Sequence, residues 1–352
     1  MTPKYINHNQ MTHAGYVTAV FFAVLFGLIV VTGGVALGVV SKRILSAFHY
    51  AVDGSRAPAY YVDTVRIDNK LPLQDWSATY TPAQAAVAAD VVARVKSAMF
   101  YGRPFVSVSH PGMSVLAELY FSRDKGLFGV IARDDVHRTL WIAFRGTETS
   151  ADWKQNLNFN EIPLASTTWK ASRLQVNMMP LQAHPDEQGL LPPIMVHGGF
   201  FGVYKSMRQN ILDMVARYPQ DKLVLTGHSL GAAVANVAAL DIAWVRGRDS
   251  VACYAFAPPR AGNPQFAAEL SKQTASFQII NQADLVPSLP ATSMPNFQVP
   301  HEPVQYAHGG TLVVFDNRDN ALCLSDTHSL AVYQSAVSSL ENVSFIHKST
   351  MF

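Results

Sequence analysis

Two segments of the chain place their apolar residues at helical spacing. The first covers residues 81–100, TPAQAAVAADVVARVKSAMF. Thr81 suits the N-cap of this helix, Pro82 suits its first position and Gln84 would complete a capping box. The second covers residues 200–219 and is amphipathic, with a proline at its end. Its apolar positions are Phe200, Tyr204, Met207, Ile211, Met214 and Val215.

Short apolar runs around these helices predict strands. Residues 126–146, GLFGVIARDDVHRTLWIAFRG, predict two strands joined at Asp134-Asp135. Four further runs predict strands at residues 223–225, 251–256, 277–280 and 311–315. Because strands alternate with helices along the chain, the pattern predicts an α/β fold with a largely parallel sheet.

The N-terminal part of the chain has a different pattern. Residues 16–40, YVTAVFFAVLFGLIVVTGGVALGVV, contain no charged residue. About 25 apolar residues can span a bilayer core of roughly 30 Å, whereas the apolar region of a signal peptide has roughly 7–15 residues. We therefore predict one transmembrane helix within an N-terminal segment at 1–43, a juxtamembrane connector at 44–80 and a folded domain at 81–352.

The charges that flank this predicted helix favour one orientation. Lys4 precedes it, and Lys42, Arg43 and Arg56 follow it. The positive-inside rule places the more basic flank in the cytoplasm. The sequence thus predicts a single-pass membrane protein, and its flanking charges weakly favour a cytoplasmic position for the domain that follows.

Composition excludes several classes of function. The formal net charge is only +2 and the Lys and Arg residues are scattered, which argues against nucleic-acid binding. The two cysteines, Cys253 and Cys323, do not make a disulfide scaffold. The histidines lack the spacing of metal ligands, so we expect no metal and no cofactor.

A candidate nucleophile lies between a predicted strand and a helix. The sequence Gly227-His228-Ser229-Leu230-Gly231 fits the G-x-S-x-G pattern, in which a tight turn projects the serine hydroxyl outward. Glycines at the flanking positions let the strand and the helix approach each other. The helix N-terminus offers N–H donors to a developing oxyanion, the first from Leu230. The alternative is a structural turn with an N-capping serine.

A serine nucleophile needs a base and an acid, and both follow in the chain. Asp284 comes just after the strand predicted at 277–280, and His328 lies in a loop that enters a helix. Ser, Asp, His is the chain order of α/β-hydrolases. His308 is the rival candidate for the base.

Several other polar residues receive a structural interpretation. We expect His228 to pack, Arg145 to brace the loop after its strand, and Arg260 and Asn263 to be architectural. We interpret Asp241 and Asp326 as solvated surface charges.

Six segments in one order resemble the class 3 lipases, a family that includes fungal lipases and diacylglycerol lipases. These segments are WIAFRGTETSADW, VHGGFFGVY, LTGHSLGAAVA, YAFAPPRAGNPQFA, INQADLVPSLP and DTHSLAVY. The resemblance covers roughly residues 80–340. It implies an α/β-hydrolase fold of the class 3 lipase type, with 81–352 as the catalytic domain. It also implies an oxyanion hole formed by Thr147 together with the N–H of Leu230.

The resemblance carries expectations about function. It implies a serine lipase that hydrolyses carboxylic esters of acylglycerols through Ser229, Asp284 and His328. The uncharged run at 16–40, which the secreted fungal members of the family lack, adds the expectation of a membrane anchor, with lipid at a membrane interface as the partner. A phospholipase, a general carboxylesterase and a catalytically silent membrane scaffold remain alternatives. Residues 163–193 are longer and more polar than a minimal lid, which leaves the lid boundaries open.

Overall fold

The computed structural model describes residues 67–121, 126–146, 161–163, 194–247, 250–294, 303–317, 327–338 and 344–346. All of them belong to one unit of the chain, Asp63–Phe352. Within these ranges no helix is both long and apolar enough to cross a membrane. The membrane segment predicted at 16–40 lies outside the described residues, as does most of 163–193.

Apart from two short 3-10 helices, the described segments contain five α-helices and twelve strands. The helices are α1 (Pro82–Phe100), α2 (Gly198–Arg217), α3 (Leu230–Arg246), α4 (Pro264–Gln273) and α5 (Leu330–Ser338). The first six strands are β1 (Met113–Tyr120), β2 (Leu127–Asp134), β3 (Thr139–Phe144), β4 (Glu161–Pro163), β5 (Met195–His197) and β6 (Lys222–His228). The others are β7 (Val251–Phe256), β8 (Ala275–Asn281), β9 (Ser293–Met294), β10 (Val304–Gln305), β11 (Thr311–Phe315) and β12 (Ser344–Ile346).

The main sheet has its parallel strands at the centre. Its eight described strands follow the order β1-β2-β3-β6-β7-β8-β11-β12. Neighbours from β3 to β11 pair in parallel, whereas β1, β2 and β3 pair antiparallel and β12 pairs antiparallel with β11. This arrangement confirms the predicted α/β class and is that of an α/β-hydrolase-like fold.

Helices cover both faces of the sheet. On one face, α1 and α5 pack against side chains such as Trp141, Tyr254 and Phe277. On the other face, α2, α3 and α4 pack against alternate residues of the same strands, such as Ile142 and Leu225. Since both faces are covered, the central strands are buried along nearly their whole length and are largely apolar, rather than alternating between apolar and polar residues.

Helix α1 begins where the sequence predicts. The Thr81 hydroxyl accepts a hydrogen bond from the Gln84 N–H at 3.2 Å, and Pro82 occupies the first helical position. The Gln84 side chain has other partners: its Nε2 donates to the carbonyl of Asp75 at 3.2 Å, and its Oε1 accepts from the Tyr254 hydroxyl at 2.8 Å. The predicted N-cap is confirmed, and the side chain that would complete the capping box instead ties α1 to the preceding segment and to β7.

The parallel pairing determines where a functional site can form. Strands β6 and β8 run in the same direction and are separated by β7. Their carboxyl ends therefore lie on the same edge of the sheet, where open α/β sheets place their ligands. Ser229 directly follows β6 and Asp284 follows β8 by three residues, so the topology brings these two candidates to the same edge.

Candidate active site

Ser229 occupies the sharp turn between β6 and α3. Its φ is 57°, a left-handed value that is uncommon for a residue with a side chain. Its N–H donates to the Phe256 carbonyl at 2.9 Å, and its own carbonyl accepts from the first turn of α3. These bonds hold the strained backbone. The Ser229 side chain makes no capping bond to the helix, so the alternative of an N-capping serine does not hold.

The two glycines around Ser229 are required by close backbone contacts. A Cβ on Gly227 would lie 2.3 Å from the carbonyl oxygen of Gly231. A Cβ on Gly231 would lie 2.2 Å from the carbonyl oxygen of Arg145, which follows β3. The first glycine therefore lets β6 turn tightly into α3, as predicted. The second lets α3 lie against the end of β3.

His328 connects Ser229 to Asp284. His328 Nε2 lies 2.9 Å from Ser229 Oγ, and its Nδ1 lies 2.7 Å from Asp284 Oδ2. The side chain of His328 is 20% exposed, whereas that of Asp284 is 1% exposed. The three side chains form one hydrogen-bonded chain whose imidazole can be reached from solvent and whose carboxyl group is buried.

Asp284 has further donors. The N–H of Val286 donates to Oδ1 at 2.9 Å, and the hydroxyl of Tyr333 donates to Oδ2 at 2.7 Å. Tyr333 is fully buried on α5, and its pKa is raised well above 10, first by burial and then by the charge of Asp284. The phenol therefore stays protonated and remains a donor. Tyr333 is not predictable as a partner of Asp284 from the sequence, since one tyrosine in an apolar helix carries no signal of this contact.

The backbone next to His328 is held by two side chains. His228 Nε2 lies 2.9 Å from the carbonyl oxygen of His328, and Asn281 Nδ2 donates to the carbonyl of Thr327 at 2.9 Å. His228 was predicted only to pack. It does pack, at 5% exposure, and it also makes this hydrogen bond.

The structure describes one of the two predicted oxyanion donors. Leu230 is the first residue of α3, where a backbone N–H has no acceptor within the helix. It lies directly after Ser229, at the positive end of the helix dipole. Thr147 lies outside the described residues, because the range that contains β3 ends at Gly146.

His308 has a partner of its own. Its Nε2 donates to the Pro287 carbonyl at 2.7 Å, and burial, with a smaller effect of the Arg260 charge, lowers its pKa to about 4. It is not the histidine that the structure brings to Ser229.

The residues predicted to be architectural contact backbone groups. Arg145 donates to the carbonyls of Leu127 and Gly146 at 2.6 and 2.8 Å. Arg260 donates to the carbonyl of Pro290 at 2.7 Å, and Asn263 caps α4. The architectural interpretation of Arg260 and Asn263 is confirmed. Arg145 holds the backbone up to Gly146, and the loop that it was predicted to brace lies outside the described residues from 147 onward.

The interpretation of Asp241 as a solvated charge is wrong. Asp241 is 1% exposed and lies on α3, facing α2. It accepts two hydrogen bonds from Arg208, at 2.7 and 3.0 Å, and one from the Tyr204 hydroxyl at 2.5 Å. A buried carboxylate is stable here because a charged guanidinium faces it. Asp326 lies outside the described residues.

Known proteins resemble the central part of the chain, which carries Ser229 and Asp284. Residues 141–294 match the family model described as Lipase (class 3). A secreted mono- and diacylglycerol lipase A of Penicillium cyclopium is 32% identical over 170 residues, which are 47% of this chain and 48% of that protein. A chloroplastic phospholipase A(1) of Arabidopsis thaliana is 33% identical over 171 residues, which are 45% of this chain and 35% of that protein. The match thus spans about half or less of the length of these relatives.

A solved structure matches a larger share of the chain at a lower sequence identity. The mono- and diacylglycerol lipase from Aspergillus oryzae superposes with a TM-score of 0.47 and 18% sequence identity, over 71% of this chain and 85% of that one. The segment at 141–294 carries both Ser229 and Asp284, and over this segment the chain matches the class 3 lipases, the family that its motifs resemble.

Proposed function

We propose that this chain is a serine lipase that hydrolyses carboxylic ester bonds of acylglycerols. The observation that carries the proposal is the hydrogen-bonded chain from Ser229 Oγ through His328 to Asp284 Oδ2. A serine hydroxyl is a weak nucleophile unless an adjacent base takes its proton, and here a base lies within hydrogen-bond reach. The acylglycerol substrate is inferred from the name of the Penicillium relative.

The first half of the reaction acylates Ser229. Its Oγ attacks the ester carbonyl carbon as its proton passes to His328 Nε2. The carbonyl oxygen takes the negative charge and faces the Leu230 N–H, with Thr147 as the second donor of the oxyanion hole. When the tetrahedral intermediate collapses, the alcohol leaves with the proton from His328 Nε2 and the acyl group stays on Ser229.

Water completes the reaction by the same route. It attacks the acyl-enzyme carbonyl carbon as His328 Nε2 takes its proton, and Ser229 Oγ recovers a proton when the fatty acid leaves. Asp284 accepts a hydrogen bond from the Nδ1–H of His328 throughout, which fixes the imidazole tautomer and stabilises its charged form. Because Asp284 is buried and held by other donors, it can keep this orientation.

The test is a panel of esters in detergent micelles. Triacylglycerol, diacylglycerol, monoacylglycerol, phosphatidylcholine and a short p-nitrophenyl ester are given to the wild type, to Ser229→Ala and to Ser206→Ala. Ser206 donates only to a backbone carbonyl of its own helix, which makes it a matched control. We expect Ser229→Ala alone to lose activity, by several orders of magnitude. Full activity of folded Ser229→Ala would refute the assignment.

A phospholipase is the second candidate. It is favoured by one observation, the 33% identity to a protein named as a phospholipase A(1). Ser229-dependent release of fatty acid from phosphatidylcholine but from no acylglycerol would select it. Hydrolysis of the short ester alone would indicate a general carboxylesterase. Hydrolysis of no ester in the panel by the folded protein would favour a narrower substrate, a closed lid or a silent scaffold.

We also propose that residues 16–40 anchor the domain to a membrane as a single span. The uncharged run supports this, and its more basic C-terminal flank supports a cytoplasmic position for the domain at 81–352. An anchor would keep the site close to lipid and raise the local substrate concentration. Deleting residues 1–43 should release the protein from membranes in carbonate extraction and leave hydrolysis of the short ester intact. Protease protection of sealed vesicles tests the orientation.

A further inference from the structure

Two consecutive backbone carbonyls at the candidate base accept hydrogen bonds from buried side chains. The carbonyl of His328 lies 2.9 Å from His228 Nε2, and that of Thr327 lies 2.9 Å from Asn281 Nδ2. His228 ends β6 and Asn281 ends β8. The segment that carries His328 is therefore tied to two strands of the sheet at the edge where Ser229 and Asp284 lie.

The bond from His228 has a fixed direction. A carbonyl oxygen only accepts hydrogen bonds, so Nε2 of His228 must carry the proton. His228 directly precedes Ser229 in the chain. Its bond thus joins the main chain of the candidate base to the residue beside the candidate nucleophile, and it constrains the distance from His328 Nε2 to Ser229 Oγ.

The His228 ring also lies close to the backbone that follows β3 and leads to the proposed oxyanion hole. A Cβ on Gly146 would lie 3.2 Å from His228 Nδ1, so the ring packs on the backbone just before Thr147. The His228 ring also lies 4.8 Å from the His328 ring, measured between centroids. His228 thus lies close both to Gly146, just before Thr147, and to the side chain of His328.

We infer that His228 is a positioning residue of the proposed hydrolase, which holds His328 at its hydrogen-bonding distance from Ser229. It touches no reacting atom. Its effect comes through the main chain of His328, and a displacement of about 1 Å in an active site can reduce a rate by roughly 100-fold. The inference rests on the proposed function, since it assigns a role within the same Ser229–His328–Asp284 arrangement.

The experiment compares His228→Phe with His228→Gln on the short soluble ester. Phe keeps a flat ring and loses the donor, whereas the Gln side chain can place an N–H near the position of Nε2. We expect kcat of the Phe variant to fall about 10- to 100-fold with little change in KM, and the Gln variant to recover most of the loss. The rate at which a fluorophosphonate labels Ser229 should follow kcat, because labelling needs the same activated hydroxyl. His228→Leu provides a second donor-free variant if the Phe variant does not fold.

His110→Phe is the matched control. His110 is 1% exposed, and its Nδ1 lies 2.9 Å from the Pro111 carbonyl oxygen, in the turn before the edge strand β1. Its loss should lower the melting temperature and leave kcat per folded molecule unchanged. The inference fails if the His228 variants behave like this control, or if Gln is as inactive as Phe. If the wild type itself neither hydrolyses an ester nor reacts with the fluorophosphonate, the proposed function fails instead.

Discussion

The hydroxyl of Tyr333 lies 2.7 Å from Asp284 Oδ2, the same oxygen that lies 2.7 Å from His328 Nδ1. One carboxylate oxygen thus accepts from both the candidate base and a buried phenol. The phenol is itself placed by the N–H of Asn281, at 3.2 Å from its oxygen. Helix α5 therefore contributes to the orientation of Asp284 through the side chain of Tyr333.

Removal of this phenol should reduce activity. In Tyr333→Phe the ring still fills its site, but Asp284 Oδ2 keeps only the donor from His328. A hydrogen bond to a charged group contributes about 1.5–3 kcal/mol, so we expect kcat to fall by roughly 5- to 50-fold if much of this energy orients the carboxylate. Steady-state kinetics on a soluble ester measure the change.

Tyr204→Phe is the control for this prediction. Tyr204 is another buried tyrosine that donates to a carboxylate, Asp241 Oδ2, at 2.5 Å. Its loss should destabilise the fold and leave kcat per folded molecule unchanged. Equal kcat values for Tyr333→Phe and Tyr204→Phe would show that the contact with Asp284 is structural only.

Gly231 should tolerate no side chain. In Gly231→Ala the new Cβ would lie 2.2 Å from the Arg145 carbonyl oxygen and 2.7 Å from that of Phe144, and both are backbone atoms that cannot rotate away. Either α3 or the end of β3 must shift, at a cost of about 1–3 kcal/mol or more. Because this shift moves the start of the loop that carries Thr147, we expect activity to fall further than stability alone explains.

Gly102→Ala is the control, which separates the effect of the backbone clash at Gly231 from the general cost of replacing a glycine. Gly102 has a φ of +60° but no atom within 4 Å of an added Cβ, so its substitution costs only backbone strain of roughly 1 kcal/mol. Thermal melts and kcat of the two variants are compared. A Gly231→Ala protein as active and stable as Gly102→Ala would contradict the contact argument.

The buried pair of Asp241 and Arg208 should be important for stability and irrelevant to catalysis. Asp241→Asn keeps the shape of the side chain but leaves the Arg208 charge without its carboxylate. Loss of one partner from a buried ion pair costs about 3–5 kcal/mol. Urea unfolding should show this loss, and kcat per folded molecule should stay at the wild-type value. A change below about 1 kcal/mol would indicate that the pair behaves like an exposed one.

Local signals explain which predictions from sequence are confirmed. The strands predicted at 251–256 and 311–315 have those same bounds in the structure, because each is a short, largely apolar run with a residue type that disfavours strands close to each end. These flanking residues are Ser250 and Pro258 for the first strand, and Gly310 and Asp316 for the second. The start of α1 follows from Thr81 and Pro82 in the same way. The elbow is predictable because strand, glycines, serine and helix are adjacent in the chain.

Contacts between residues that are far apart in the chain explain why the contacts of Asp241 and Tyr333 could not be predicted from the sequence. Asp241 looks like a solvated charge until α2 places Arg208 against it, 33 residues away in the chain. Tyr333 looks like an ordinary core residue until α5 places it against Asp284, 49 residues away. The interpretation of a single polar residue depends on its spatial partner, and no periodicity within one element identifies that partner.

His197 should make the fold sensitive to acid. It is fully buried at the start of α2, where its Nδ1 accepts a hydrogen bond from the Phe200 N–H at 3.3 Å. Burial lowers its pKa from 6.5 to about 3. The unfolded chain therefore takes up a proton near pH 6.5, while the folded chain does so only near pH 3. Between these values the unfolded state binds more protons, so stability falls as the pH is lowered through this window.

The variant His197→Asn isolates this contribution. Asn is a good N-cap residue and does not titrate, so α2 keeps its cap while the pH-sensitive group is removed. One proton corresponds to a slope of at most about 1.4 kcal/mol per pH unit. Urea unfolding from pH 4 to 7 should give a steeper slope for the wild type than for the variant. Above pH 7 the two curves should run parallel, because His197 is then neutral in both states. Parallel curves across the acid range as well would show that His197 titrates in the folded protein as it does in the unfolded chain.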